Sequence, residues 1–228
     1  MLVTDKSPNA SMLGSNTVPV RTGDEAVALI IALERAIEGI GDSVGLSCPQ
    51  IGESRSVAII RHAGVSINLI NPTVISASRP FVHKGEGCKS LPGRRYDVPR
   101  FGQVNIRNYA LWPSASGAIP LGDDPNNRPI DRINPPKGLS LVPVTATYVY
   151  ELAEEQCGGI VCVGVQHEID HLSGLTLLKK EGAVEVPSAE GPKWKVGRND
   201  PCPCGAKDAD GKFLKFKKCC LNKIDSST

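Results

Sequence analysis

Gln166-His167-Glu168-Ile169-Asp170-His171-Leu172-Ser173-Gly174 is the stretch around which the rest of the chain can be arranged. On a helix, positions 167 and 171 lie one turn apart on the same face, so two imidazoles converge on one metal ion. Glu168 follows the first histidine and can take a proton from metal-bound water without being a ligand, as in metal-dependent amide hydrolysis. A surface helix with two solvated histidines is the plainer reading. Against it stand the specific H-E-x-x-H order and the spending of two of the chain's four histidines here. The preceding run Ile160-Val161-Cys162-Val163 has poor helix propensity and would pass for a strand. The metal decides between the two, because the histidines share a face only if 159–172 is helical. Ile160, Val163 and Gly164 then fall on the metal-facing side, as core or as the wall of a pocket.

Two imidazoles and a water leave a catalytic metal one protein ligand short. A third histidine in the metzincin pattern would stand at position 177, which is Leu177. A gluzincin would need Glu181 or Glu185 on a second helix, and Gly182 and Pro187 do not suit one. The better candidate is Cys88 in Gly85-Glu86-Gly87-Cys88-Lys89-Ser90, a thiolate presented between turn-forming glycines.

Three segments, Gly45-Leu46-Ser47-Cys48-Pro49-Gln50, Glu86-Gly87-Cys88-Lys89-Ser90 and Gln166 to His171, resemble in order and spacing the three signature motifs of peptide deformylases. Asn71-Pro72 and Val98-Pro99-Arg100 fit as well, and the resemblance spans about residues 20 to 180. It departs from the family pattern at Ser47 and Cys48, where two alanines are usual, and at Lys89, where leucine is usual. The resemblance implies removal of the formyl group from the N-terminal formylmethionine of new proteins. It implies Cys88, His167 and His171 as metal ligands and Glu168 as proton carrier. The Gln50 amide and the backbone N–H of Lys89 become oxyanion donors. Val44, Gly45 and Gly87 would hold the peptide backbone, and Ile160, Val163 and Gly164 the methionine side chain. The ligand set accepts Fe, Zn, Ni or Co, and the resemblance points to ferrous iron. Ser47 and Cys48 read as packing residues, and Asp170 either as a solvated helix charge or as a partner of Arg100.

With 228 residues and 40% hydrophobic composition the chain can hold one packed domain and a small module. The net charge is +2, but 193–223 carries nine Lys/Arg against three Asp, a local +6, which leaves −4 for the remainder. No apolar run suggests export or membrane insertion, so a cytoplasmic protein, monomeric and without membrane contact, is expected. Five of the eight cysteines sit in ligand-like motifs, which disfavours disulfides.

The expected fold is α+β: antiparallel strands packed around the central H-E-x-x-H helix, then a small C-terminal zinc knuckle. Residues 1–20 read as a flexible arm and 21–181 as the main domain. Thr22 and Glu25 form a capping box for a helix carrying Ala26, Leu29, Ile30, Leu33 and Ile37, which Gly39 and Gly41 end. Strands are expected at 57–60, 67–70, 103–107 and 144–151. Residues 112–138, rich in Pro, Gly, Asn and Asp, read as a long loop on idle surface rather than over the site. A linker at 182–196 follows, then a module at 197–222 and a tail at 223–228. Gly197 to Gly205 with Lys217 to Cys220 resembles the SEC-C motif, whose four thiolates, Cys202, Cys204, Cys219 and Cys220, suit a structural zinc. Its lysines with Trp194, Phe213 and Phe216 suit docking to a ribosome or another partner on the nascent-chain path. Three functional readings stand: an active deformylase acting on N-formylmethionyl peptides, a gluzincin-type peptidase, and a non-catalytic binder of ribosome or nucleic acid.

Overall fold

The computed structural model describes residues 2–41, 43–62, 64–113, 130–150 and 156–187, with the single positions 212 and 215. The chain forms two compact units, Met1–Pro187 and Ser188–Thr228. The four tail cysteines and most of the long loop lie outside the described residues.

Along the first unit run α1 (Gly23–Glu38), β1 (Gly45–Ser47), a 3-10 turn at Cys48–Ile51, β2 (Val57–His62), β3 (Val65–Ile70), β4 (Thr73–Gly87), β5 (Arg95–Pro113), β6 (Leu139–Val149), α2 (Gln156–Leu172) and β7 (Val184–Val186). One antiparallel sheet has the order β1-β2-β3, the other the order β4-β5-β6 with β7 also paired to β5. The antiparallel sheets with few helices expected from the sequence are present.

Strand β2 shows how the layers arise. Its apolar run alternates faces, so Val57 and Ile59 meet Ala26, Ile30 and Leu33 of α1. Ala58 and Ile60 point the other way, onto Val161, Val165, Ile169 and Leu172 of α2. A strand buried on both faces reads as a continuous apolar run, which is why it was legible. Helix α2 is thereby wedged between β1 and β2 on one side and β5 and β6 on the other.

Several expectations need correction. The arm at residues 2–20 is ordered. Val3 N–H donates to Gln50 O at 2.7 Å, Asp5 N–H to Ser90 O at 3.0 Å, and Thr17 to Leu172 O through both its backbone N–H and its hydroxyl. Val3, Leu13 and Val20 are buried, so isolated apolar anchors and backbone hydrogen bonds hold a segment that has no period to read. The capping box is half made: Thr22 Oγ1 accepts from Glu25 N–H, but the Glu25 carboxylate takes Arg21 N–H and Arg55 instead. The linker begins later than expected, because β7 pairs with Arg95–Asp97 and Glu185 grips Arg94 with both oxygens. The described end of the long loop rests on α1, through Arg132 to Glu38 at 2.6 Å and Gly138 N–H to Asp24 at 3.1 Å.

Strand β5 is 19 residues long where a five-residue strand was expected. Its core face carries Tyr96, Val98, Arg100, Gly102, Val104, Ile106, Asn108 and Ala110 in strict alternation, but a charge, a glycine and an amide among them hide the period. Asn108 joins the two sheets: its Oδ1 accepts from Ile70 N–H at 2.7 Å and its Nδ2 donates to Asn68 O at 2.9 Å. Asn108→Ala strands both buried backbone groups and should lower the unfolding free energy by about 2–4 kcal/mol. Chemical denaturation followed by circular dichroism checks this, and an unchanged midpoint would remove the amide's bridging role.

Candidate metal centre

Two glycine-dependent details bring the second motif to the helix. Strand β4 has a register shift between His83 and Glu86, with Gly85 at φ +67°, a conformation glycine adopts without strain. The bulge re-aims the strand so that Glu86 turns inward from an otherwise exposed edge strand. On the opposite side, Gly45 of β1 lies against the helix, where a Cβ would come within 2.8 Å of Glu168 Oε1. Strand β1 and the Glu168 carboxylate therefore touch.

Cys88, His167 and His171 offer one ligand atom each, all within 4.8 Å of one another, and all three residues are buried. His171 Nε2 stands 3.2 Å from Cys88 Sγ, and the two imidazoles meet edge to face at 4.9 Å between centroids. His167 gives its Nδ1 to Glu86 Oε1 at 2.7 Å, which leaves Nε2 for a metal. Burial opposes ionisation of Cys88, but the charge of His171 and hydrogen bonds from both imidazoles outweigh it and hold the thiol well below its usual range. His167 is correspondingly held well above the usual imidazole range, against its burial, by Cys88 and Glu86. One thiolate and two imidazoles, with no fourth protein donor in the group among the described residues, fit a divalent metal with an open position.

Glu168 is nearly fully buried, and its Oε2 meets no hydrogen-bond partner among the described residues. Burial pushes its carboxyl up, against His167 and His171, which favour the ionised form. A carboxylate poised in that way can accept and return a proton near neutral pH.

Gln50, at the 3-10 turn after β1, donates from Nε2 toward Ser90 Oγ at 3.3 Å and lies 3.8 Å from Cys88 Sγ. The half-buried Lys89 follows Cys88 directly, and its backbone N–H has no partner among the described residues. Two donors of the kind an oxyanion needs thus flank the Cys88 thiol. Val163 is buried, Ile160 is half-exposed, and Gly164 faces Val44 and Ile60 across the α2–β1 contact. Gly87 lies beneath the Arg95 guanidinium. Cys48 packs in the α1 core with its thiol pushed up to about 12 by burial, then by Glu53, in keeping with a packing role. Glu185, the alternative ligand, is paired with Arg94, and Leu177 packs beside Cys88 and Leu91.

Behind the donor set lies a group of charges of which sequence reasoning saw only the Asp170–Arg100 pair. Arg100 is 1% exposed and grips Glu86 with two nitrogens, Nε to Oε2 at 2.9 Å and Nη2 to Oε1. Its Nη1 reaches Asp170 Oδ2 at 2.6 Å, and Lys180 completes the group at 2.8 Å from the same oxygen. Of the two readings of Asp170, the pairing with Arg100 is the one found. Burial opposes ionisation of Glu86, yet His167 and Arg100 outweigh it and hold its carboxyl far below the usual range. Gln166 pairs its amide with both backbone groups of Phe101, fastening α2 to β5 as a strand neighbour would. The glycine-flanked Glu86, next but one to the cysteine, was the available signal.

The family model described as polypeptide deformylase matches residues 2–112, ending where the long loop begins. Peptide deformylase of Pelotomaculum thermopropionicum is 27% identical over 137 residues, 60% of this chain and 64% of that protein. The chain spans less than two thirds of that relative. The Thermotoga neapolitana enzyme is 26% identical over 171 residues, 74% of this chain and 80% of its own length. In fold, the chain is similar to class I type b peptide deformylase from Acinetobacter baumannii bound to Met-Ala-Ser, with a TM-score of 0.55 at 18% identity over 79% of this chain and 96% of that one.

Glu86→Gln removes the charge between His167 and Arg100. It should weaken binding of a divalent metal about 10- to 100-fold without loss of helix content. Competition against a chelator measures this, and unaltered affinity would show that Glu86 does not orient the ligand.

Proposed function

We propose that the chain is a member of the polypeptide deformylase family and hydrolyses the N-formyl group from N-formylmethionyl peptides. The observation that carries this reading is the convergence of Cys88 with His167 and His171 within 4.8 Å, the third ligand arriving from β4 rather than from a later helix. A gluzincin would need Glu181 or Glu185, and neither joins the two histidines among the described residues, Glu185 being spent on Arg94. No helix among the described residues is long and apolar enough to cross a membrane.

A divalent cation held by these three residues, ferrous iron by the family resemblance, supplies Lewis acidity to water and to the formyl oxygen. The chain's own groups do the rest. Glu168 takes the proton of the attacking water and passes it to the leaving amine. Gln50 Nε2 and the Lys89 N–H donate to the oxygen on which charge develops. Strand β1 is the edge of its sheet, so Val44 and Gly45 can take the peptide as an added strand, with Gly87 opposite. Ile160, Val163 and Gly164 would form the methionine pocket. The tail cysteines Cys202, Cys204, Cys219 and Cys220 carry a structural zinc in this reading, and the basic residues about them favour a ribosomal partner.

Formate release from a formyl-Met peptide, with protein loaded anaerobically with iron, tests the assignment. Glu168→Gln should keep its metal and lose at least about a hundredfold in rate. Cys88→Ala should lose one metal per chain together with activity. Full activity in Cys88→Ala, or loss of metal in Glu168→Gln, would contradict these roles.

A further inference from the structure

We infer that Ser47 is a positioning residue whose hydroxyl locks the side-chain amide of Gln50 in the orientation that turns its N–H groups toward the Cys88 thiol. The inference deepens the deformylase reading and rests on the oxyanion role given there to Gln50.

Ser47 ends β1 and is fully buried, as is its neighbour in the turn, Gln50 at 2% exposure. Gln50 Oε1 receives two hydrogen bonds from this one residue, from the backbone N–H at 3.0 Å and from the hydroxyl at 2.9 Å. A backbone N–H can only donate, so the atom facing it is the amide oxygen. Nε2 is then necessarily the atom facing Ser90 Oγ and Cys88 Sγ. The backbone bond alone settles which end of the amide points where, but a single bond leaves the amide plane free to pivot about it. The hydroxyl occupies the second lone pair and removes that freedom. A carbonyl accepting two bonds also draws electron density through the amide, which makes its N–H groups better donors, the cooperative effect expected of a buried chain of hydrogen bonds.

The alanine usual at this position in the family keeps the backbone donor and lacks the hydroxyl. Ser47 therefore adds a constraint in this chain that the family pattern does not require. A rival account is that the buried hydroxyl serves the Glu168 carboxylate, whose ionised form a Ser47 hydrogen bond favours, or simply takes the nearest acceptor. The two accounts differ in what they expect once Gln50 is gone. If Ser47 works through Gln50, its removal matters only while that amide is present. If it serves Glu168 or merely satisfies a buried polar group, its removal acts on rate or stability to the same extent whether or not Gln50 is present.

A double-mutant cycle on the full-length, iron-loaded protein separates them, with kcat and KM for a formyl-Met peptide measured for wild type, Ser47→Ala, Gln50→Ala and the double variant. Alanine at position 47 is tolerated by the family, so the variant should fold, and a thermal melt checks that it does. Ser47→Ala should lower kcat about 3- to 10-fold, the scale of one net hydrogen bond, with KM unchanged. It should have no further effect in the Gln50→Ala background. An equal loss in both backgrounds, or an unchanged kcat, overturns the proposal. A second readout is independent of turnover: in wild type, NMR of the Gln50 side-chain amide should show slowed hydrogen exchange that Ser47→Ala abolishes. Formate release absent from wild type would sink the deformylase reading itself, and the exchange measurement would then decide the positioning role alone, equal exchange rates in the two proteins being the result that refutes it.

Discussion

The buried Arg100 guanidinium is the constraint on which the metal centre depends. Strand alternation puts position 100 on the core face of β5, between Val98 and Gly102, so a charge that cannot be neutralised sits at 1% exposure. It must be paired, and its partners come from different elements: Glu86 from β4 and Asp170 from α2. Glu86 in turn fixes His167. One cation thus sets the spacing between the strand that delivers Cys88 and the helix that delivers both imidazoles. Burying such a group is not a gain in stability over a well-packed apolar core. Removing one partner, however, typically costs about 3–5 kcal/mol, and that asymmetry gives the arrangement its specificity.

Geometry and charge cooperate around this centre. The bulge at Gly85 turns Glu86 inward, Gln166 fastens the helix to the backbone of Phe101, and Gly45 lets β1 approach Glu168. The N-terminal segment adds a strap, bonded to the first motif at Gln50, to the second at Ser90 and to the third at Leu172. All three motifs are thereby held from outside as well as from within. The bulky Pro- and Gly-rich insertion leaves this arrangement alone where it is described, its end resting on α1.

Much of this was legible in the residues, for physical reasons that also explain what was not. The H-E-x-x-H spacing forces a helix despite the β-branched run before it, and α2 begins at Gln156, three residues ahead of the expected start. Cys88 was proposed as the third donor by weighing it against later glutamates, and it lies beside both imidazoles. Strands β2 and β3 announced themselves through apolar runs. Strand β5 did so only over 103–107, because Arg100, Gly102 and Asn108 occupy core-facing positions that a hydrophobicity pattern counts as exposed. The hub was half seen in Asp170, while Glu86 passed without a role since nothing local tells a ligand-orienting carboxylate from a solvated one. The strap and β7 escaped because their order comes from backbone hydrogen bonds to distant segments, which no sequence period records.

The central claim is that Cys88, His167 and His171 alone hold the catalytic metal, with Glu168 beside it and Glu86 behind it. An anomalous-difference map, collected at the absorption edge of the loaded metal on crystals of the full chain, tests this most directly. The account predicts a peak at about 2.3 Å from Cys88 Sγ and about 2.0–2.1 Å from one nitrogen of each histidine, ordinary coordination lengths for such a site. The Glu168 carboxylate should lie beyond bonding distance and Glu86 should remain on His167 Nδ1. A peak ligated by Glu168 or Glu185, or none at these three residues, would contradict it.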